Sequence, residues 1–232
     1  MTNLLLVLFR RIRRKINVIR GKEIDLNVKI DVPVVHLGSE YGGYWIKEGS
    51  LNKESIVYSV GIGEDISFDL DLIDKYGCQV FGFDPTPKSI DWIKTQECPK
   101  EFVFTPWGVS DFDDEAEFHP PNNPNHVSHS LIKHKGVKSE GVKAKFRRLS
   151  TIMDHFEHNV VDLLKLDIEG YEYAVIKDLV SSNVPINQVC LEFHHRFSGL
   201  GIDYTKAAVE DLEAIGLYLF NQDGYCCSFV KR

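Results

Sequence analysis

From residue 55 onward, short β-rich apolar runs alternate with stretches whose apolar residues recur every three or four positions. That alternation is the pattern of a parallel sheet flanked by helices. Residues 55–60 (SIVYSV) predict a buried strand ending at Gly61-Ile62-Gly63. Ile66, Leu70 and Ile73 at helical spacing predict a helix over 65–76 with Gly77 as its C-cap. Residues 78–84 (CQVFGFD) predict a second strand and 88–96 a second helix, with Pro85 and Pro87 marking the loop between them. Strands follow at 102–105, 161–167 and 188–194, and helices at 171–180 and 203–215. The end differs: 217–221 and 225–230, separated by Asp223-Gly224, read as an antiparallel hairpin closing the sheet.

The N-terminal stretch has a different periodicity. Leu5, Leu8, Phe9, Ile12, Ile16 and Ile19 fall at spacings of three and four with arginines between them, which predicts a basic amphipathic helix over residues 1–22. The six consecutive apolar residues from Leu4 to Phe9 are far short of the roughly 20 that span a bilayer. A secretory signal places its charges before the apolar run, and here they come after it. Two readings of this helix are open: a foot on an anionic membrane surface, and the favoured one, a helix packed on its own domain or on the second subunit of a homodimer. Residues 23–232 are then one domain, long enough to bury a core.

Charge sharpens this division. The chain has 27 Lys+Arg against 34 Asp+Glu, and residues 1–22 hold seven of the basic residues and no acid, so a +7 head precedes a −14 body. An acidic body argues against bulk capture of nucleic acid, which depends on clustered cations. Five cysteines, an odd number with no CxxC pair, point to a reducing cytoplasm. Cys78 and Cys190 sit in apolar runs as core residues, and adjacent Cys226 and Cys227 in a strand must face opposite sides. The irregular stretch 119–130 reads as a surface excursion or a substrate-gripping insertion. Beyond it, seven cations from Lys133 to Arg148 meet one acid, Glu140. Val142, Ala144 and Phe146 are expected to face in, and Lys143, Lys145 and Arg147 out, on a solvated strand face.

In an open parallel sheet, ligands sit beyond the carboxyl ends of the strands where the strand order reverses. Gly61 and Gly63 follow the first strand and allow close approach of a ligand to backbone. Asp84 ends the second strand, where an acid can accept both hydroxyls of an adenosine ribose. Two cofactors fit this pattern: a nicotinamide dinucleotide and S-adenosylmethionine. The dinucleotide fingerprint wants a small residue where Ile66 stands. Asp167 and Glu169 follow the fourth strand, and Glu192 and His194 share one face at the end of the fifth, with His195 opposite. If these strands are neighbours, three carboxylates and an imidazole converge. The structural alternative has some of the carboxylates capping a helix or pairing with Lys165, which suits Glu172 best.

Val60-Gly-Ile-Gly-Glu-Asp65, Phe83-Asp-Pro-Thr-Pro87, Trp107-Gly-Val-Ser-Asp111 and Leu164-Lys-Leu-Asp-Ile-Glu-Gly-Tyr-Glu172 resemble the FkbM family of S-adenosylmethionine-dependent methyltransferases. The resemblance implies an α/β, class I methyltransferase fold, a Rossmann-like doubly wound sheet, mostly parallel with a C-terminal antiparallel hairpin. It implies methyl transfer to a hydroxyl oxygen, commonly on a sugar or a polyketide-type product. By the same pattern Gly61, Gly63, Glu64 and Asp84 line the cofactor, and Trp107, Gly108 and Val109 lie near its adenine. Methyltransferases often carry an acid two residues before the first glycine; here that residue is Ser59, so Glu64 or Asp65 is expected to take over its contact. Tyr41-Gly-Gly-Tyr-Trp45 either folds over the sulfonium or forms a structural aromatic turn.

Because a sugar hydroxyl is a poor nucleophile, the set Asp167, Glu169, Glu192 and His194 is expected to supply metal-independent base catalysis, with His194 or Asp167 as the base. A divalent cation held by the same cluster is the weaker expectation. The reading is therefore a cytoplasmic O-methyltransferase of a carbohydrate hydroxyl. Its rivals are a nicotinamide-dependent oxidoreductase and a non-catalytic cofactor-binding partner protein.

Overall fold

The structure is a computed structural model that describes residues 14–123, 129–132 and 135–232. Its centre is a seven-stranded sheet built from β3 (Ile56–Val60), β4 (Gln79–Phe83), β5 (Phe102–Thr105), β9 (Leu163–Leu166), β10 (Gln188–Glu192), β11 (Leu217–Asp223) and β12 (Cys226–Lys231). The strand order is β11-β12-β10-β9-β3-β4-β5. The five strands from β10 to β5 are parallel, and β12 is antiparallel to both β10 and β11. The expected hairpin is present, with its last strand inserted and β11 left at the edge. That edge is covered from the N-terminal side: Lys29 donates its N–H to the Leu219 carbonyl, and Leu26 donates to the Gln222 side chain.

Period-two alternation divides the strands between two cores. Tyr58, Phe81, Leu164, Val189 and Leu191 pack against α3 (Leu149–Phe156), α4 (Glu172–Ser181) and α5 (Ile202–Ala214). Val57, Val80, Leu163 and Cys190 pack on the opposite face under α1 (Ser67–Tyr76), α2 (Pro87–Ile93) and a small hairpin, β1 (Val34–Leu37) and β2 (Tyr44–Lys47). With a parallel core and helices on both faces, the sheet is doubly wound. Cys227 joins the first core and Cys226 abuts the second, the opposite-face placement expected of a strand. Cys78 and Cys190 are buried, as expected.

Some boundaries move for local reasons. Helix α1 starts two residues later than expected because the Asp65 carboxylate accepts the Ser67 N–H, and it ends at Gly77, whose φ of 66° is left-handed. Three elements were not expected: the β1–β2 hairpin, α3, and a second sheet of β6 (Gly108–Val109), β8 (Val142–Arg147) and β7 (Asp114–Phe118), in that order. In that second sheet Glu115 pairs with Lys145 and Glu117 with Lys143, so the cations of β8 face an acidic strand as well as solvent. Phe146 faces in as expected, whereas Val142, at the strand end, is 37% exposed.

Most of the expected N-terminal helix, residues 1–13, lies outside the described residues; residues 14–19 are helical. Arg14 pairs with Asp25 at 3.0 Å and with Glu23 at 3.8 Å, while Ile16 and Ile19 are exposed. The described part of the apolar face therefore does not pack on its own domain. No helix among the described residues is long and apolar enough to cross a membrane.

Candidate active site

The chain runs outward from β3 through β4 to β5 and then returns to β9 and β10 on the other side of β3, so the strand order reverses between β3 and β9. Val60 pairs with Leu166 at their carboxyl ends, which sets Gly61 beside Asp167 at the switch point. A cleft of about 1190 Å³ opens there. It exceeds the roughly 300–1,000 Å³ of ordinary ligand pockets, leaving room for a cofactor and a second molecule.

One half of the cleft is built largely from backbone. Gly61 has φ of 80°, and a Cβ added to it would lie 1.8 Å from the Asp167 carbonyl oxygen, so no other residue fits the turn. The buried Lys165 ammonium donates to the Gly61 carbonyl and fixes the turn from below. Asp84 is 4% exposed, and its two oxygens accept the N–H groups of Gly63 and Thr86, each at 2.8 Å. The carboxylate is held rigidly with acceptor capacity left toward the cleft that it lines. Gly63 also lines the cleft, and a Cβ there would meet nothing within 4 Å.

Glu64 lines this half and pairs with Lys88 at 2.8 Å. Asp65 lies beside it, its oxygens accepting from the Ser39 hydroxyl at 2.6 Å and the Ser67 N–H at 2.8 Å. Burial alone would raise the Asp65 carboxyl, but these hydrogen bonds and Lys165 outweigh it and lower the net value. Ser59 is fully buried and does not line the cleft, whereas Glu64 and Asp65 line it together with Asp84. Tyr41 and Tyr44 both reach the cleft from the β1–β2 hairpin, Tyr41 92% exposed and Tyr44 buried. Gly108 and Val109 line it as expected. Trp107 does not: it lies in the turn before β6, its N–H donated to the Thr105 carbonyl at 2.8 Å, and its ring packs edge-on to His155 with Arg147 above it.

The other half is made of side chains. Register puts β9 beside β10, so Asp167 and Glu169 meet Glu192 and His194 at neighbouring strand ends. His194 is 1% exposed, and its Nε2 lies 3.5 Å from Glu169 and 3.8 Å from both Asp167 and Glu192. Asp167, Glu169 and Glu192 line the cleft, with His194 behind them. Glu169 reaches this position through left-handed backbone, φ 52°, a conformation that costs a non-glycine residue of order 1 kcal/mol and clusters at functional sites.

Glu172 was expected to be a helix cap; it stands instead inside the first turn of α4, whose start at Tyr171 carries no side-chain cap hydrogen bond. It is fully buried, and its Oε2 accepts the Gly170 N–H at 2.9 Å. Its Oε1 accepts the His194 backbone N–H at 2.7 Å and lies 3.3 Å from His194 Nδ1. That contact holds the proton on Nδ1 and turns Nε2 toward the three carboxylates. Burial would lower the imidazole's pKa, but Glu172, Glu169 and Asp167 outweigh it and raise it to about 9. His195 faces away, with Nδ1 3.1 Å from Thr205 and its ring edge-on to Tyr225. Lys165 pairs with none of these carboxylates. The far wall comes from the excursion after β5 and from the loop after β10, with Phe118, Asn122, Lys135, Phe146, Arg196 and Phe197.

A doubly wound sheet with a glycine turn and a strand-end acid at its switch point is the architecture of a nucleotide-cofactor-binding domain. The chain belongs to the methyltransferase FkbM domain family, whose model matches residues 52–224 and whose cofactor is S-adenosylmethionine. It is 26% identical over 161 residues to a probable methyltransferase-like protein 24 of Homo sapiens, and 24% identical over 160 residues to the corresponding protein of Rattus norvegicus. Each match covers 68% of this chain and only 37–38% of the relative, so the chain spans little more than a third of their length. Among solved structures, a fibrillarin pre-rRNA processing protein of Methanococcus jannaschii aligns over 90% of this chain and 87% of its own, with 11% identity and a TM-score of 0.46, too distant to bear on function.

Proposed function

We propose that the chain is an S-adenosylmethionine-dependent O-methyltransferase acting on a carbohydrate hydroxyl. The observation that carries this reading is the convergence of Asp167, Glu169, Glu192 and His194 within one cleft whose other half is the rigid Gly61, Gly63 and Asp84 cradle. Two features of the cradle fit the cofactor: the carboxylate of Asp84, placed for ribose hydroxyls, and the open face of Gly63, which admits a ligand against backbone. Tyr41 at the mouth offers an aromatic face suited to a cation, and Tyr44, buried deeper, already has the Lys165 ammonium over its ring. When bound, S-adenosylmethionine supplies the methyl group from its sulfonium.

The protein's own part is alignment and proton removal. The far wall sets the aromatic faces of Phe118, Phe146 and Phe197 among the amide of Asn122 and the cations of Lys135 and Arg196, a combination suited to the C–H faces and hydroxyls of a sugar. Holding the hydroxyl in line beside the cofactor supplies most of the acceleration. Asp167 and Glu169, which line the cleft, accept the hydroxyl proton. His194, turned by Glu172 and holding a proton of its own at neutral pH, draws the carboxylates together. Of the two bases expected from sequence, the geometry favours Asp167.

The test is thermal denaturation with S-adenosylhomocysteine, followed by turnover on a panel of sugar acceptors. A ligand at 100 times its Kd stabilises by about 2.7 kcal/mol, so a shift of several degrees is expected, absent in Asp84→Ala. No shift at about 1 mM would overturn the reading.

A further inference from the structure

The carboxylate half of the cleft holds a buried imidazole in an unusual setting. Oxygens of Asp167 and Glu192 and the Nε2 of His194 all lie within 4.8 Å of one another, and Glu169 Oε2 is 3.5 Å from the same nitrogen. Contacts of 3.5 to 3.8 Å are longer than ordinary hydrogen bonds. The contacts to Nε2 fall between the two separations found around an octahedral centre with bonds of about 2.1 Å, about 3.0 Å for adjacent and about 4.2 Å for opposite ligand atoms, so modest side-chain adjustment brings the three atoms onto one ion.

The surroundings of His194 supply an independent observation. The side chain is 1% exposed, and its Nδ1 faces the fully buried Glu172. A carboxylate on the far nitrogen is the outer-shell partner that metal-ligating histidines almost always have, because it fixes the tautomer and raises the basicity of the ligating nitrogen. Glu172 has no other access to the cleft, so its two remaining bonds, to the N–H groups of Gly170 and His194, serve only to hold it there. Glu192 is fixed in turn from the outside: Arg196, stacked over Tyr225, reaches the same Oε1 at 3.0 Å.

We propose that Asp167, Glu192 and His194 bind a divalent cation through one oxygen of each carboxylate and the imidazole Nε2. Mixed carboxylate and imidazole ligands suit a first-row ion, and Mn²⁺ most directly, since carboxylates favour it and an imidazole is tolerated. The cleft-facing side of the ion is where an acceptor hydroxyl binds as a further ligand. The ion lowers the pKa of that hydroxyl. Its O–H bond breaks, the electron pair stays on oxygen, and the proton passes to Glu169. This refines the proposed O-methyltransferase by making Asp167 a ligand and leaving Glu169 as the base; it rests on that reading for the acceptor, but cation binding is measured without any acceptor.

The experiment is Mn²⁺ titration of the chelator-treated 232-residue chain, read by electron paramagnetic resonance and calorimetry, with S-adenosylhomocysteine binding measured on the same samples. Wild type is expected to bind one Mn²⁺ per chain with a Kd in the micromolar range. Asp167→Asn and Glu192→Gln are expected to weaken it at least tenfold with S-adenosylhomocysteine affinity unchanged, which also shows that the variants are folded. Glu172→Gln, acting through His194, is expected to weaken Mn²⁺ by about 10- to 100-fold, the usual cost of losing such a partner. Cofactor-product binding without stoichiometric Mn²⁺, or Mn²⁺ binding that the ligand variants leave intact, overturns the cation site and leaves the methyltransferase reading standing. If neither molecule binds, both fail.

Discussion

The two halves of the cleft are built by different means. The cofactor half lies between Gly61 and Asp84, comes from one β-α-β unit, and sets a glycine turn beside the carboxylates of Glu64, Asp65 and Asp84, the last locked by two hydrogen bonds. The carboxylate half collects side chains from the loops after β9 and β10, and its outer wall comes from a separate three-stranded sheet. A turn whose shape is set by glycine tolerates no change but recognises only what is common to every substrate: the cofactor. Side chains on loops can vary without disturbing the sheet, which is why the proposed function assigns specificity and proton chemistry to that half.

That difference makes the halves separable by mutation. Asp167→Asn should lower turnover about 10²- to 10⁴-fold, the range of a lost general base, while S-adenosylhomocysteine affinity stays within about threefold. Comparable losses of both would join the halves into one unit. Gly61→Ala should do the reverse of a separable change. Its Cβ meets the Asp167 carbonyl at 1.8 Å, so the β3–β9 junction must open, and urea unfolding should show a loss of about 3 kcal/mol or more with both activities gone. Asp84→Ala should abolish the cofactor-product shift and cost about 1–3 kcal/mol of stability, since two backbone N–H groups lose their acceptor.

A smaller effect lies beneath the cofactor half. Asp69, on α1, is fully buried, and burial pushes its carboxyl up to about 6 against the pull of Lys165. The folded state therefore holds this proton where the unfolded chain has released it. Stability contributed by the neutral form is complete below about pH 4 and lost as pH rises through about 6. Asp69→Asn should accordingly stabilise the protein by on the order of 2 kcal/mol at pH 7.5 and by much less at pH 4.5, as measured by urea unfolding. Equal effects at both pH values would remove the titration from the account. Tyr41→Ala, at a side chain 92% exposed, should leave stability within about 0.5 kcal/mol and weaken only the cofactor.

The same contrast explains what was legible in the sequence. The central strands and their helices showed plainly because each carries its own periodicity, and Gly61, Gly63, Asp84, Asp167 and His194 all stand at strand ends that the pattern defines. The second sheet did not show, because the DEAEF of β7 has too few apolar residues to read as a strand and becomes one only by pairing with the cations of β8. The β1–β2 hairpin was hidden by its four-residue strands, although Ile46 is fully buried. Glu172 read as a cap because its spacing to Tyr171 is local, whereas its contact with His194 depends on α4 lying against the end of β10. Trp107 misled for the opposite reason: it belongs to the recognisable motif, yet its ring packs against His155 and Arg147 instead of lining the cleft.

The central claim is that Gly61, Gly63 and Asp84 bind the nucleoside cofactor independently of the carboxylates beside them. Calorimetric titration of S-adenosylhomocysteine into wild type, Asp84→Ala and Asp167→Asn tests it directly. The account predicts one site per chain in wild type, no measurable binding in Asp84→Ala, and affinity within about threefold of wild type in Asp167→Asn. No binding to wild type, or equal binding to wild type and Asp84→Ala, would contradict it.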